Sequence, residues 1–219
     1  MTIHIACLHA SASNIAYINR AFNGYDVVLT HVVDDNLIHQ IRGGMSQEEL
    51  SKKIIHQLQQ IEQSDGDCIL ITCTNYIALL EELAVEFKLP IIKIDEPFFE
   101  QVARAEKPIK MLFTNEATVK GTMKRFKAIC SCEQEIEVVL IPAAFEQYLA
   151  GETVKHDQKI IEYLVSQDLF EYTVAAAQLS MSNAAIVYSK LSGQAVLNPL
   201  NALQAYIEEK LKIRKKKNR

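Results

Sequence analysis

The sequence predicts an α/β protein of two pseudo-symmetric lobes, each a parallel, mostly four-stranded sheet flanked by helices, with a cleft between the lobes. Three observations carry this. Short apolar runs alternate with segments of helical periodicity along the whole chain, the pattern of parallel strands joined by crossover helices. That pattern starts again at Pro108, so the second half repeats the first at a displacement of roughly 105 residues. At the centre of the first half, the apolar run Cys68-Ile69-Leu70-Ile71 changes character within the four residues Thr72-Cys73-Thr74-Asn75 and then passes into a helical pattern.

In chain order, residues 3–8 form a buried-strand run, followed by the polar turn His9-Ala10-Ser11-Ala12-Ser13-Asn14 and a helical pattern to Phe22. Residues 25–33 read as a strand that ends at Asp34-Asp35, and Gly43-Gly44 as a loop. Ser46 and Glu49 have the spacing of a capping box and open a helix to Ile61. After the strand at 68–71, apolar positions at 77, 80, 84 and 87 predict a helix that Leu89-Pro90 ends. Residues 91–94 form the next strand, and Asp95-Glu96-Pro97 starts a helix to Arg104.

The second half reads as a strand at 109–113, the turn 114–118, a helix at 119–126, a strand at 136–141 and a helix at 152–165 opened by residues that include His156-Asp157. A strand at 172–177 meets Gln178-Leu179-Ser180-Met181. A further helix, the strand 195–197 and a last helix from Asn198-Pro199 to about Lys212 complete the chain. The expected lobes are 1–96 with 199–219, and 97–198.

Composition narrows the function classes. The chain has 219 residues, 49% of them apolar and 23% charged, with seven Gly and five Pro, which is a globular balance. An odd count of five cysteines without a disulfide-like spacing, and no signal peptide, points to a reducing, cytoplasmic setting. No apolar run approaches ~20 residues, so no membrane partner is expected. The formal charge is −4, yet six basic residues lie within the last eight, Lys212 to Arg219. The body is therefore strongly acidic, which argues against nucleic acid as a partner, and the basic tail reads as a solvated end.

Cys73 is the candidate for chemistry. It sits where a parallel strand ends and a helix begins, a place where unpaired backbone N–H groups and the helix dipole favour a thiolate and can hold a carboxylate. Position 178 is its counterpart in the repeat, and an amide stands there. His9, at the carboxyl end of the first strand, is the best-placed titratable partner. Ser11, Thr74, Asn75, Thr114, Thr118 and Ser180 are candidate donors to substrate, each with helix capping as the plain alternative. Asp34 and Asp35 fit strand-end turn chemistry, with recognition of an amino group as the less favoured alternative. Cys130-Ser131-Cys132 lacks a second pair and a nearby histidine, so no metal is expected there. No Gly-rich phosphate loop is present.

Thr72-Cys73-Thr74-Asn75, Leu89-Pro90-Ile91-Ile92-Lys93-Ile94-Asp95-Glu96, Ala177-Gln178-Leu179-Ser180-Met181 and His31-Val32-Val33-Asp34-Asp35-Asn36-Leu37, in that arrangement with the duplication, resemble the aspartate/glutamate/hydantoin racemase superfamily over nearly the whole chain. The resemblance implies flavodoxin-like halves and an enzyme without cofactor that acts on a small, amino-acid-like carboxylate. It also implies a homodimer and a C-terminal helix packed on the first lobe. In that family two cysteines work from opposite faces of the substrate; maleate isomerases and arylmalonate decarboxylases share the architecture. Here Gln178 stands in place of the second cysteine, and a primary amide neither gives nor takes a proton near neutral pH. His9-Ala10-Ser11 also replaces the acidic residue of the first loop. Cys73 alone can still add to a double bond or protonate one face of an enolate, with Gln178 orienting the substrate. A carboxylate-binding protein without chemistry and, more distantly, a flavodoxin-like cofactor carrier are the rival classes.

Overall fold

The computed structural model describes residues 2–81, 83, 85–131, 134–209, 213 and 215, with the side chain of Arg42 excepted. Two compact units account for it, Met1–Asp95 with Gln204–Arg219, and Glu96–Leu203. Each unit holds one four-stranded sheet, and all strand pairs within the sheets are parallel.

In the first unit the strands are β1 (Ile3–His9), β2 (Val27–Val33), β3 (Cys68–Ile71) and β4 (Ile91–Lys93), in the order β2-β1-β3-β4. The second repeats that order with β5 (Ile109–Phe113), β6 (Ile136–Leu140), β7 (Thr173–Ala176) and β8 (Val196–Leu197), as β6-β5-β7-β8. The duplication read in the sequence is thus a duplication of topology. In both sheets the central strands are buried on both faces, which explains why Cys68–Ile71 and Thr173–Ala176 read as continuous apolar runs rather than alternating ones.

The helices joining these strands are, in the first unit, α1 (Ser13–Ala21), α2 (Leu37–Arg42), α3 (Gln47–Glu62) and α4 (Thr74–Glu81). Helix α5 (Asp95–Ala103) begins at the last residue of the first unit's main segment and lies otherwise in the second, followed there by α6 (Glu116–Ile129), α7 (Ala144–Leu149), α8 (Thr153–Ser166) and α9 (Ser182–Ser192); α10 (Pro199–Glu209) begins in the second unit and, from Gln204, belongs to the first. The period of two along a strand divides side chains between two cores. Leu112, Val174 and Ala176 pack with Ile160, Leu164 and Tyr188, whereas Ile109, Met111, Phe113 and Ala175 pack with Phe98, Phe99 and Phe126. Phe99 and Phe126 meet edge to face with centroids 5.4 Å apart, a geometry worth about 1 kcal/mol beyond the buried area.

Local signals place the helix ends. Ser46 and Glu49 form the expected capping box at α3, with Glu49 N–H donating to Ser46 Oγ at 3.3 Å and Ser46 N–H donating back at 3.1 Å. Asn198 accepts the Asn201 N–H at 3.0 Å, and Pro199 supplies a pre-set φ at the first position of α10. Gly193, at φ 76°, closes α9 in the left-handed conformation.

The elements differ from the sequence reading at several points. The helix expected across 77–87 is α4, described over Thr74–Glu81; residues 83 and 85–87 have no regular structure, and Glu82 and Ala84 lie outside the described residues. Only Tyr76, Ile77 and Leu80 of α4 are buried, Val85 is 38% exposed, and the chain after it is instead held by the Glu62 carboxylate, which accepts from Lys88 and Leu89 N–H. Helices α2 and α7, six residues each, are too short for periodicity to register. Tyr25 does not extend β2; it forms a separate bridge with Lys215, and its hydroxyl reaches the Glu208 carboxylate. His156 and Asp157 lie inside α8 rather than at its start: His156 is buried beside Tyr148, and Asp157 accepts from Asn183. Cys132 and the basic residues of the tail other than Lys215 lie outside the described residues. Among the described residues no helix is long and apolar enough to cross a membrane.

Replacing Ser46 by Ala removes the hydroxyl that accepts the Glu49 N–H and donates to the Glu49 carboxylate, and leaves only the backbone half of the capping box. Urea unfolding followed by circular dichroism is expected to show a loss of about 1 kcal/mol, whereas Ser46→Asp, which keeps an acceptor at the cap, should retain most of the stability.

Candidate active site

In a parallel sheet the carboxyl ends of the strands all open on one edge, and the helix N-termini that follow bring unpaired N–H groups to it. In the first unit that edge carries His9 from β1, Asp34 after β2 and Thr72-Cys73 after β3.

Cys73 immediately precedes α4 and is half-buried. Its carbonyl oxygen accepts the Ile77 N–H at 3.1 Å, and its sulfur receives the N–H groups of Tyr76 and Asn75. The expectation that this position yields a thiolate is corrected. Burial pushes the thiol above its ordinary value, the two N–H groups oppose that without overcoming it, and the negative charge of Asp34 adds to the rise. Near neutral pH the sulfur therefore carries its proton. Thr74 and Asn75, the first two residues of α4, are half-exposed beside it.

His9 is 0% exposed, and both its ring nitrogens are engaged elsewhere than at Cys73. Nδ1 lies 2.8 Å from Thr72 Oγ1, and Nε2 lies 2.9 Å from His31 Nδ1; His31 Nε2 in turn lies 3.1 Å from Asn19 Oδ1. Asn14 Nδ2 donates to Thr72 Oγ1 at 3.2 Å. Because Asn19 Oδ1 can only accept, His31 carries its proton on Nε2 and accepts at Nδ1. It follows that His9 carries its proton on Nε2 and accepts the Thr72 hydroxyl hydrogen at Nδ1. The chain runs Asn14, Thr72, His9, His31, Asn19, with each donor meeting an acceptor. Burial first, then the neighbouring His31, holds His9 down at about 4, and burial also lowers His31, so both rings are neutral at pH 7. Ser11 serves its own turn, with its Oγ 2.9 Å from Ser13 Oγ and its carbonyl accepting the Asn14 N–H at 3.1 Å.

Asp34 confirms turn chemistry and adds a network. Its Oδ1 accepts the Asn36 N–H at 3.2 Å; its Oδ2 accepts from Tyr76 Oη at 2.9 Å and Gln57 Nε2 at 3.1 Å, and pairs with Lys53 Nζ at 2.5 Å. Burial alone would raise this carboxyl, but the hydrogen bonds from Lys53, Gln57 and Tyr76 lower it on balance. Asp35 accepts the Ala12 N–H at 3.2 Å. Tyr76, fully buried, links this network to the N–H groups around Cys73. Tyr76, Thr72, Asn14, His31, Lys53 and Gln57 were not singled out from the sequence as site residues. They lie scattered along the chain, and strand pairing and helix packing, not spacing, bring them together.

In the second unit Gln178 follows β7. Its Oε1 accepts from Thr114 N–H at 2.7 Å, Thr114 Oγ1 at 2.9 Å and Asn115 N–H at 3.1 Å, while its Nε2 donates to Thr118 Oγ1 at 3.3 Å. The structure thus brings Gln178, Thr114 and Thr118 into direct contact. It also spends on the amide oxygen the donors read as available to a carboxylate. Asn115, not Thr118, caps α6, accepting the Ala117 N–H at 3.1 Å. Ser180 lies half-exposed in the single 3-10 turn Leu179–Met181. Cys7 and Cys68 are buried strand residues, as read.

No protein-family model matches the sequence, and no curated protein does either. Solved structures do. An aspartate racemase of Picrophilus torridus superposes with a TM-score of 0.74 over 98% of this chain and 96% of its own, at 14% identity. A glutamate racemase of Campylobacter jejuni subsp. jejuni gives 0.68 over 99% and 89%, also at 14% identity. An allantoin racemase of Klebsiella pneumoniae gives 0.60 over 96% and 88%, again at 14%. The chain has the fold of these racemases.

Two outcomes follow from the hydrogen bonds at these strand ends. Because the Asp34 carboxyl titrates below the ordinary value near ~3.9, the unfolded chain takes up its proton first as pH falls. The stability it supplies is complete above that range and is lost as pH drops through the folded value. Asp34→Asn should therefore destabilise by about 2 kcal/mol at pH 7, with the difference from the parent narrowing below pH ~4 in urea titrations. Gln178→Ala should cost about 1–2 kcal/mol by stranding the Thr114 and Asn115 donors, and Gln178→Glu, which keeps an oxygen in place, should recover most of the loss in the same assay.

Proposed function

We propose that the protein is a cofactor-independent enzyme of the racemase and isomerase type, acting on a small, amino-acid-like carboxylate through the thiol of Cys73. The observation that carries the reading is the placement of a half-buried sulfur at the carboxyl end of a central strand, where it takes two N–H groups from the first turn of α4. A helix N-terminus of this kind holds anionic oxygens as well as sulfur. Thr74 and Asn75 are the proposed donors beside the thiol. Ser11 is a further proposed polar contact in the first unit; in the second unit Thr114, Thr118, Ser180 and Gln178 are proposed as carboxylate contacts, the Thr114 and Asn115 N–H groups being freed when the Gln178 oxygen is displaced. His9, through its bond to Thr72, is a positioning residue for the turn that presents Cys73.

The protonated state of the thiol favours one mode within this class. Racemisation needs a base on one face and an acid on the other; the amide of Gln178 is neither. A thiol held above its ordinary value is instead suited to give its proton to one face of an enolate. In a decarboxylation, the bond to the departing carboxylate breaks, carbon dioxide leaves, and the electron pair enters the enolate. The enolate carbon then takes the Cys73 proton, and solvent restores it. Single-thiol proton donation is accordingly the second reading, and it differs from the first in the products rather than in the residue that acts.

The test uses Cys73→Ala and Cys73→Ser on a panel of amino acids, hydantoins, maleate and arylmalonates, with solvent deuterium incorporation at carbon read by NMR. Loss of turnover by about two orders of magnitude or more in both variants is expected, with deuterium entering a single stereochemical position under single-thiol donation. Unchanged turnover in both variants removes the cysteine from the mechanism. Ligand-induced thermal stabilisation without any turnover or exchange would make the protein a carboxylate binder.

A further inference from the structure

The face of the first sheet that carries the buried polar chain holds a second chemical grouping. Cys7 and His9 stand two residues apart on β1 and so point to the same side, and His31 is the register partner of Cys7 on β2. We propose that Cys7 Sγ, His9 Nε2 and His31 Nδ1 form a binding site for one borderline-soft divalent cation, zinc being the ion they fit best.

One ligand atom from each of Cys7, His9 and His31 lies within 4.8 Å of the others, and the two ring nitrogens that face each other, His9 Nε2 and His31 Nδ1, are 2.9 Å apart. Tetrahedral zinc, with bonds of ~2.0–2.3 Å, sets its ligand atoms about 3.3–3.8 Å apart, so shifts of about an ångström bring the three into place. One thiolate and two imidazoles, with a fourth position left for water, are a donor set that zinc accepts. Metal-binding histidines usually engage their second ring nitrogen with a polar partner that sets ring orientation. Both rings here already do so: His31 Nε2 through Asn19 Oδ1 at 3.1 Å, and His9 Nδ1 through Thr72 Oγ1 at 2.8 Å. His31 is half-exposed, which gives the ion a way in.

The proton balance closes without any other reactant. On binding, the His9 ring proton moves from Nε2 to Nδ1, where Thr72 Oγ1 accepts it. The Thr72 hydroxyl hydrogen turns to the Leu8 carbonyl oxygen, 3.3 Å away. His31 keeps its proton on Nε2. Cys7 gives its thiol proton to solvent, so each ion releases one proton and nothing is oxidised or reduced. The plain alternative is a core cysteine beside a hydrogen-bonded histidine pair, which requires no ion at all. Sequence spacing conceals the cluster, since 22 positions separate His9 from His31 and only strand pairing joins them.

Cobalt(II) titrated into the full-length, chelator-treated protein tests this, because a tetrahedral thiolate site gives a thiolate-to-cobalt charge-transfer band that zinc then displaces. The expected result is saturation at one ion per chain, release of one proton per ion, and loss of the band in Cys7→Ser but not in Cys73→Ala. Asn19→Ala changes an exposed position that does not touch the ion, and it should keep the band while weakening affinity about 10–100-fold. No band in the parent protein, or a band that survives Cys7→Ser, overturns the proposal. Should Cys7→Ser fail to fold, unchanged affinity in Asn19→Ala overturns it as well. None of these readouts depends on turnover, so the outcome stands apart from that of the Cys73 experiment.

Discussion

A polar side chain withdrawn from water must find a partner at each of its polar atoms, and at the end of the first sheet the buried Asn14, Thr72 and His9 meet that demand in one chain that runs out through half-exposed His31 to exposed Asn19. Asn14 and Asn19 on α1 form the two ends; Thr72, His9 and His31 lie between, each donating to the next. Leaving one donor or acceptor unmet in such a setting costs about 1–3 kcal/mol, and the members polarise one another, so the chain holds as a unit. It ties helix α1 to β1, β2 and the residue that follows β3. The turn at 72–75 is thereby held from one side by the buried chain and from the other by the first turn of α4. The position of Cys73 is the consequence.

The same topology, built twice, solves the same local problem in two ways. After β3 the backbone N–H groups at the helix start are given to a sulfur. After β7 the corresponding residue reaches sideways, and its amide oxygen satisfies the N–H groups that precede α6. Both arrangements answer the deficit of partners that every helix N-terminus presents. One leaves a half-buried cysteine that bears its proton; the other engages a group that does not titrate. The two halves share the scaffold and differ in the group that meets these N–H groups.

Asp34 shows how a local role and a distributed one can coincide. Its Oδ1 closes the turn after β2 in the manner that Asp residues at strand ends commonly do. Its Oδ2 meanwhile gathers Tyr76, Gln57 and Lys53 from α4 and α3. Through Tyr76 this carboxylate is linked to the turn of α4 that surrounds Cys73, and its charge is one reason the sulfur keeps its proton.

Amino-acid order by itself determined the parallel α/β class, the duplication, most strand positions and the capping box at Ser46, because each depends on contacts within a few residues or on a period that repeats. It also placed Cys73 and Gln178 at corresponding strand ends, since a strand that turns into a helix is a local event. It did not determine that residues 85–87 lack the expected helix, because Glu62, far away in sequence, holds the chain that follows them. Nor did it determine the ionisation of Cys73, the engagement of His9 with His31 and Thr72, or the capture of the Thr114 and Asn115 donors by Gln178. Those depend on which strands lie side by side and how deeply a group is withdrawn from water. Neighbours of that kind are chosen by the folded chain, and no spacing along the sequence encodes them.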